Sequence, residues 1–375
     1  MPIGRSDRIN VGVLAERARG ERRVALVPAD IKKLISKVTF VIESGAGNEA
    51  GFDDNTYVDA GARIAGLREI LESSDVVVKV RPPGIDEMPP AGRTLISLGG
   101  YDANLGKSLR KRAVIHLALE RIPRTTRAQA MDVLSSQASI AGYASVLEGA
   151  RALGVLLPML TTSAGTIRPA RMIALGAGVA GLQAIATARR LGAVVHGFDV
   201  RAAAREQVES LGAKFVSMDV DSGAGEGAGG YAREQSSDQQ ERLRRSLSVH
   251  LAAMQLVITT AQIPGHPAPL LIDRETLGMM KPGSVIVDLA AETGGNCEVT
   301  RPDETITVNG VRVMAPTNLP SLVASDASRF FSGNIRSLLT YLLEGSSRLR
   351  LDRSDPIVGA MLAGQNTANT AVAAA

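Results

Sequence analysis

The residues best suited to chemistry lie mid-chain, where Gly176-Ala-Gly178-Val179-Ala-Gly181 follows an apolar run, Arg171 to Leu175. The same glycines open an apolar-periodic stretch, Ala180 to Leu191, that closes at Gly192. A G-x-G-x-x-G alone is a weak signal, but between a strand and a helix it has the context of a dinucleotide-binding turn. Gly176 would make the tight turn, Gly178 would let backbone approach a pyrophosphate, and Gly181 would allow close packing of helix on strand. The N-terminus of the helix, with free N–H groups and the positive end of its dipole, attracts the phosphates. Asp199 ends the next apolar run, about 20 residues after the glycines, where a carboxylate bonds a ribose 2′-hydroxyl and repels a 2′-phosphate. Arg201 pulls the other way, since an arginine near this strand end can accommodate that phosphate. Asp199 at the strand end favours NAD over NADP. The alternative is a structural glycine-rich turn without a ligand, which strand, helix and acid together make the weaker reading.

A second concentration of polar groups is Arg124-Thr-Thr-Arg127-Ala-Gln129-Ala-Met-Asp132-Val-Leu-Ser135-Ser-Gln137. Its side chains suit an amide, a ribose or a phosphate, although periodicity alone reads it as a solvated loop. Gly223 to Gly230 has the sequence GAGEGAGG and precedes Tyr231. Glycine at this density gives a chain that cannot pack. It reads as a loose surface insertion or as a lid over the nucleotide, and Tyr231 favours the lid. The histidines offer little: His116 falls in a strand and His250 in a helix, both structural in context, His196 lies in the second strand of the nucleotide unit, and His266 is on a loop. The single cysteine, Cys297, can form neither an internal disulfide nor a thiolate metal cluster.

The elements that must position these groups alternate strand and helix. In the first third, strands are expected at Ile9 to Leu14, Thr39 to Glu43, Asp75 to Val80, Thr94 to Leu98 and Ala113 to Leu119, with helices at Pro28 to Ser36, Thr56 to Gly61, Leu67 to Glu72 and Asp102 to Lys111. That rhythm specifies a parallel sheet flanked by helices, and no glycine fingerprint follows any of these strands. A long helix is expected from Ala138 to Leu153. The βα rhythm then resumes through Arg171 to Leu175, Val194 to Phe198, Lys214 to Val216, Leu256 to Ala261 and Val285 to Ala290, and ends in a hairpin, Thr305 to Ala315, turning at Asn309-Gly310. The tail, Phe330 to Leu343, is helical in pattern. The expected fold is α/β, two Rossmann-like domains with a cleft between them: residues 1–137 with 330–375, and a nucleotide-binding domain over 138–329 with a mobile loop near 221–236.

A chain of 375 residues supports two such domains. Apolar residues at 45% and charged residues at 21% are globular values. The net charge of +4 has no basic stripe, which argues against nucleic acid. The polar N-terminus lacks the apolar core of a secretory signal, and no apolar run approaches the ~20 residues of a membrane span. A cytoplasmic protein is expected.

The Arg124 to Gln137 segment closely resembles the R-x-x-R-A-Q-x-M-D-x-L-S-S-Q loop of the NAD(H)-binding component of proton-translocating transhydrogenases. The resemblance extends through Glu21-Arg-Arg-Val-Ala-Leu-Val-Pro28, Glu43-Ser-Gly-Ala-Gly47, the glycine fingerprint, Asp199-Val200-Arg201, Thr259-Thr-Ala261 with Ile263-Pro-Gly265, and Gly294-Gly-Asn-Cys297. It implies a homodimeric two-domain subunit that binds NAD(H) and passes hydride to NADP(H) on a separate subunit, coupled to proton translocation by an integral-membrane subunit. It also implies that Arg124, Gln129, Asp132 and Ser135 position the nicotinamide and its ribose, that Asp199, Val200 and Arg201 hold the adenosine side, and that Gly230 and Tyr231 lie in the closing loop. Two positions depart from the pattern: Leu243 stands where relatives often have Gln, and Gln262 replaces a usual Leu. The chain ends without the membrane helices of fused versions, so a peripheral position on the cytoplasmic side of the membrane is expected. Hydride transfer between nicotinamides needs no general acid, in keeping with the few histidines.

Alanine dehydrogenase, a relative of the same architecture, is the rival reading. Arg23 and Lys79 match its two basic positions, but Thr94 to Asn104 lacks the histidine, and Glu292 aligns with the aspartate. A non-catalytic NAD-sensing module is a third reading, against which Gln129 and Asp132 argue.

Overall fold

The structure, a computed structural model, describes residues 8–217, 237–262 and 266–362. Two compact units divide the chain, unit 1 from Met1–Gln137 with Pro320–Ala375 and unit 2 from Ala138–Leu319. The return to unit 1 falls at Pro320, ahead of the expected residue 330.

Unit 1 carries strands β1 (Ile9–Val13), β2 (Val38–Glu43), β3 (Arg63–Ala65), β4 (Val76–Val78), β5 (Thr94–Ser97) and β6 (Ile115–Ala118), all parallel, in the order β3-β2-β1-β4-β5-β6. Helices α1 (Pro28–Leu34), α2 (Asp54–Asp59), α3 (Leu67–Ser73) and α4 (Ala103–Lys111) make the crossovers. Their starts follow local chemistry: Pro28 sits at the head of α1, the carboxylate of Asp53 takes the Thr56 N–H, and that of Asp102 takes those of Asn104 and Leu105. The strands are Val- and Ile-rich because both faces are covered. One face packs Val11, Phe40 and Val76 with Phe331, Ile335 and Leu338, and the other packs Val77 and Leu95 with Ile70, Leu105 and Leu109. β3 is a short strand that the apolar pattern did not reveal.

Helix α5 (Val133–Ala152) runs across the dividing line and begins five residues before its expected start. Asp132 caps it, accepting the Ser135 N–H at 2.9 Å and the Ser135 hydroxyl at 2.6 Å. The polar run Ser135 to Gln137, read as loop, is its first turn.

After α5, unit 2 carries a two-stranded ribbon absent from the sequence expectations, β7 (Leu160–Thr162) and β8 (Gly165–Ile167), exposed throughout. Its sheet holds β9 (Arg171–Leu175), β10 (Val194–Phe198), β11 (Lys214–Phe215), β12 (Leu256–Thr259), β13 (Val285–Asp288), β14 (Thr305–Val308) and β15 (Val311–Met314) in the order β11-β10-β9-β12-β13-β15-β14. Among the described residues of that sheet only β14 is antiparallel, joined to β15 through Asn309 and Gly310, both at positive φ. Helices α6 (Val179–Arg190), α7 (Ala204–Ser210), α8 (Ser237–Leu251) and α9 (Arg274–Met279) flank it. Leu243 is buried in the core beneath α8, with Leu247 and Leu251. Unit 1 is completed by α10 (Ala324–Leu342), six residues longer at its start than expected, and α11 (Pro356–Met361).

Candidate functional site

The register of unit 2 brings four strand ends to one edge. Leu175 pairs with Phe198 on one side and Thr259 on the other, and Thr259 pairs with Asp288. Gly176, Asp199 and Thr260 therefore emerge together, at the carboxyl edge where strand order reverses between β9 and β12, the place where open α/β sheets bind ligands.

Each glycine has its own reason. Gly176 has φ 102°, and a Cβ there would lie 2.6 Å from the Thr260 hydroxyl. A Cβ on Gly181 would lie 1.8 Å from the Gly176 carbonyl oxygen, so the turn exists only without it. Gly178 is different: a Cβ would meet nothing within 4 Å. The structure leaves space where a pyrophosphate would lie. Gly178 also heads α6, and no side chain caps that helix, so its first amides point toward the same space. These observations fit a dinucleotide phosphate. Val179, 39% exposed, borders the turn.

Asp199 is committed locally. Its carboxylate accepts the Ala177 N–H at 2.8 Å and the Arg201 backbone N–H at 2.9 Å, and the Arg201 guanidinium grips it through Nε at 2.9 Å and Nη2 at 2.8 Å. The two residues that pull in opposite directions on a 2′-phosphate are thus one ion pair. Val200 packs against the core beside Phe198. Behind the turn, Thr260 donates to the Gly176 carbonyl at 3.1 Å, and the buried Asn296 amide brackets Ala261, accepting its N–H at 3.1 Å and donating to its carbonyl at 2.9 Å. Nothing in the spacing marked Thr260 or Asn296 for this work. Exposed Gln262 donates to Leu289 O at 2.9 Å. Gly230, Tyr231 and the loop 221–236 lie outside the described residues, as does Ile263-Pro-Gly265.

In unit 1 the polar segment folds as a short 3-10 turn, Gln129–Met131, that leads through Asp132 into α5. Buried Ala128 and Met131 anchor it, and Arg124 and Gln129 are exposed. Asp132 and Ser135, on which the resemblance puts a ligand role, are joined to each other as the cap of α5. Gln137, buried, accepts from Arg23 Nη1 at 2.8 Å and donates to Ala327 O at 3.1 Å.

Arg23 and Lys79 are buried and already answered by carboxylates. Arg23 lies on Glu21, with Nη2 to Oε2 at 2.6 Å, and Lys79 donates to Glu87 at 2.5 Å with Glu16 at 3.9 Å. Burial pushes up the carboxyl of Glu16, to about 7, against the opposing pull of Lys79. Burial acts on Glu21 in the same direction, but Arg23 and the Ser321 hydroxyl overcome it and hold that carboxyl at about 2. Burial lowers His116 to about 4 and raises Cys297 to about 12, which leaves both neutral at pH 7.

Two family models match the chain, one described as the alanine dehydrogenase/PNT N-terminal domain, over residues 12–141, and one as the C-terminal domain, over residues 145–372. The chain is 44% identical over 344 residues to an NAD(P) transhydrogenase subunit alpha chain of Rhodospirillum rubrum, covering 88% of this chain and 90% of that one. Against the alanine dehydrogenase of Halomonas elongata the identity is 29% over 338 residues, covering 86% and 84%. The solved transhydrogenase from Sinorhizobium meliloti superposes with a TM-score of 0.84 at 40% identity, covering 94% of this chain and 97% of that one.

Proposed function

The chain belongs to the alanine dehydrogenase/PNT family, and from that premise we propose that it is the NAD(H)-binding alpha subunit of a Re/Si-specific, proton-translocating transhydrogenase. It would pass hydride from NADH to NADP+ held on a separate subunit, with proton translocation coupled through an integral-membrane subunit. The observation that carries the reading is the glycine turn of unit 2, open at Gly178 and closed to any side chain at Gly181. The relatives lean the same way, at 44% identity to a transhydrogenase subunit against 29% to an alanine dehydrogenase.

When bound, the reduced nicotinamide supplies the hydride. The amides heading α6 receive the phosphates, and Asp199, Val200 and Arg201 hold the adenosine side, where the carboxylate selects against a 2′-phosphate. Arg124, Gln129, Asp132 and Ser135 would orient the nicotinamide and its ribose, and Gly230, Tyr231 and Gln262 are assigned to cofactor binding. These residues bind, orient and exclude water, and none is required to donate a proton.

A homodimer belongs to the same proposal, and unit 2 has a surface suited to it. Around the β7–β8 ribbon, Val155, Met159, Leu160 and Ile167 are between 46% and 65% exposed, a local concentration of apolar groups of the kind that marks an interface. Attachment to the inner face of the cytoplasmic membrane would run through the membrane subunit; no helix among the described residues is long and apolar enough to cross a membrane.

The test mixes the purified chain with an NADP(H)-binding transhydrogenase component and follows NADPH formation from NADH, with pyruvate and ammonium supplied in a parallel reaction. NADPH is expected in the first and no NADH oxidation in the second. Oxidation only in the second would transfer the assignment to alanine dehydrogenase, for which Arg23 and Lys79 would have to release Glu21 and Glu87.

A further inference from the structure

Helix α10 lies far along the chain from the polar loop, yet a single stripe of it holds that loop from behind. Ala327, Asn334 and Tyr341 recur every seven residues, about two helical turns, and so share one face. The Ala327 carbonyl accepts from Gln137, and the Tyr341 ring carries the Arg127 guanidinium 4.8 Å from its centroid. Between them Asn334, 9% exposed, makes two bonds with different parts of the segment. Its Nδ2 donates to the Ala130 carbonyl at 2.9 Å, and its Oδ1 accepts from the Ser136 hydroxyl at 2.7 Å.

The two anchored points, Ala130 and Ser136, bracket Asp132 and Ser135, and Gln129 directly precedes the first. A donor and an acceptor side by side are needed to reach both, which a primary amide supplies and a carboxylate or aliphatic side chain does not. Losing the amide removes the side-chain donor to the Ala130 carbonyl and leaves the Ser136 hydroxyl its longer bonds, to the Val133 carbonyl at 3.2 Å and from Gln137 at 3.4 Å, so the hold of α10 on the turn is lost at both points. We propose that Asn334 is a positioning residue for hydride transfer: it fixes the loop that orients the nicotinamide, without touching the nucleotide itself. The inference rests on the reading of Arg124 to Ser135 as the nicotinamide side of the site.

The experiment compares Asn334→Leu, Ser136→Ala and Gln129→Ala with the parent chain. It measures the rate of hydride transfer to an added NADP(H)-binding component, the Kd for NADH, the Kd for ADP-ribose, which lacks the nicotinamide, and the melting midpoint. Because misplacement by about 1 Å costs about 100-fold in rate, Asn334→Leu is expected to slow transfer by about 10- to 100-fold and to weaken NADH several-fold while ADP-ribose binds unchanged. Ser136→Ala, which removes one of the two anchors, is expected to fall between it and the parent. A merely structural asparagine would lower the midpoint and weaken both nucleotides in step, and that result overturns the proposal. If Gln129→Ala slows transfer and Asn334→Leu does not, the inference falls and the loop assignment stands. If neither slows it, the loop assignment falls and takes the inference with it. Should Asn334→Leu not fold, Asn334→Asp keeps the acceptor for Ser136, loses the donor to Ala130, and carries the same expectations.

Discussion

Units 1 and 2 reverse strand order at equivalent places, between β1 and β4 in one and between β9 and β12 in the other, yet only one has a glycine turn there. The likeness goes further than topology. In each, an acid at the end of the second strand accepts the amide two residues past the first: Glu43 takes Ala15 N–H at 2.8 Å, and Asp199 takes Ala177 N–H at 2.8 Å. In each, an arginine closes on that acid, Arg17 on Glu43 and Arg201 on Asp199. The difference lies in three of the four residues that follow, Leu14-Ala15-Glu16-Arg17 against Gly176-Ala177-Gly178-Val179. Glu16 stands where Gly178 stands, and its carboxylate accepts the Val80 and Arg81 amides at 2.7 and 3.2 Å with Lys79 beside it. Unit 1 fills its crevice with its own charges. The acid therefore belongs to the architecture of both turns, and it is missing side chains that make one of them a candidate nucleotide site.

The most direct way to break this contrast is to give unit 2 the residue of unit 1. Gly178→Glu enters open space, so the melting midpoint is expected to hold while NADH affinity falls at least about 100-fold, through bulk and through charge set against phosphate. Fluorescence titration with NADH reads the result, and unchanged affinity would sink the assignment of the turn. A smaller effect is expected from Asp199→Ala, which removes the acid and releases the Arg201 guanidinium. The preference for NADH over NADPH should fall about 10- to 100-fold, on the scale of hydrogen bonds to charged groups. If the ratio does not move, Asp199 serves the turn alone, as Glu43 does.

The smallest effect concerns the filled crevice. The Glu16 carboxyl sits at about 7 in the folded chain, above its ordinary 4.5, so folding takes up a proton between those values. The stability this group contributes is present below its unfolded value and is lost as pH rises through about 7. Glu16→Gln, neutral at every pH, should therefore gain on the parent between pH 5 and 8, by about 1 to 3 kcal/mol in urea unfolding. Parallel pH profiles for the two proteins would contradict that account of the network.

The open site was legible in the sequence and the filled one was not, for a physical reason. A glycine turn is local, and strand, turn, helix and acid all fall between Arg171 and Asp199. The charge network draws on Glu16, Glu43, Lys79 and Glu87, whose meeting depends on strand order and register. Asn334 shares the difficulty, lying about 200 residues from Ala130. The start of α5 was misplaced for another reason: Ser135, Ser136 and Gln137 interrupt the apolar period, and the capping role of Asp132 outweighs that interruption. The β7–β8 ribbon, exposed on every residue, has no buried face and hence no alternation to read.

Helix α10 also sets an order of assembly. Its hydroxyls receive the Val24 and Val27 amides, through Ser328 and Ser332, and Phe331, Ile335, Leu338 and Leu342 complete the hydrophobic interior around β1, β2 and β4. That helix is synthesised after unit 2, which is one uninterrupted span. The strands of unit 1 that precede unit 2 must therefore wait, with one apolar face unsealed, while unit 2 already has its whole sequence in hand.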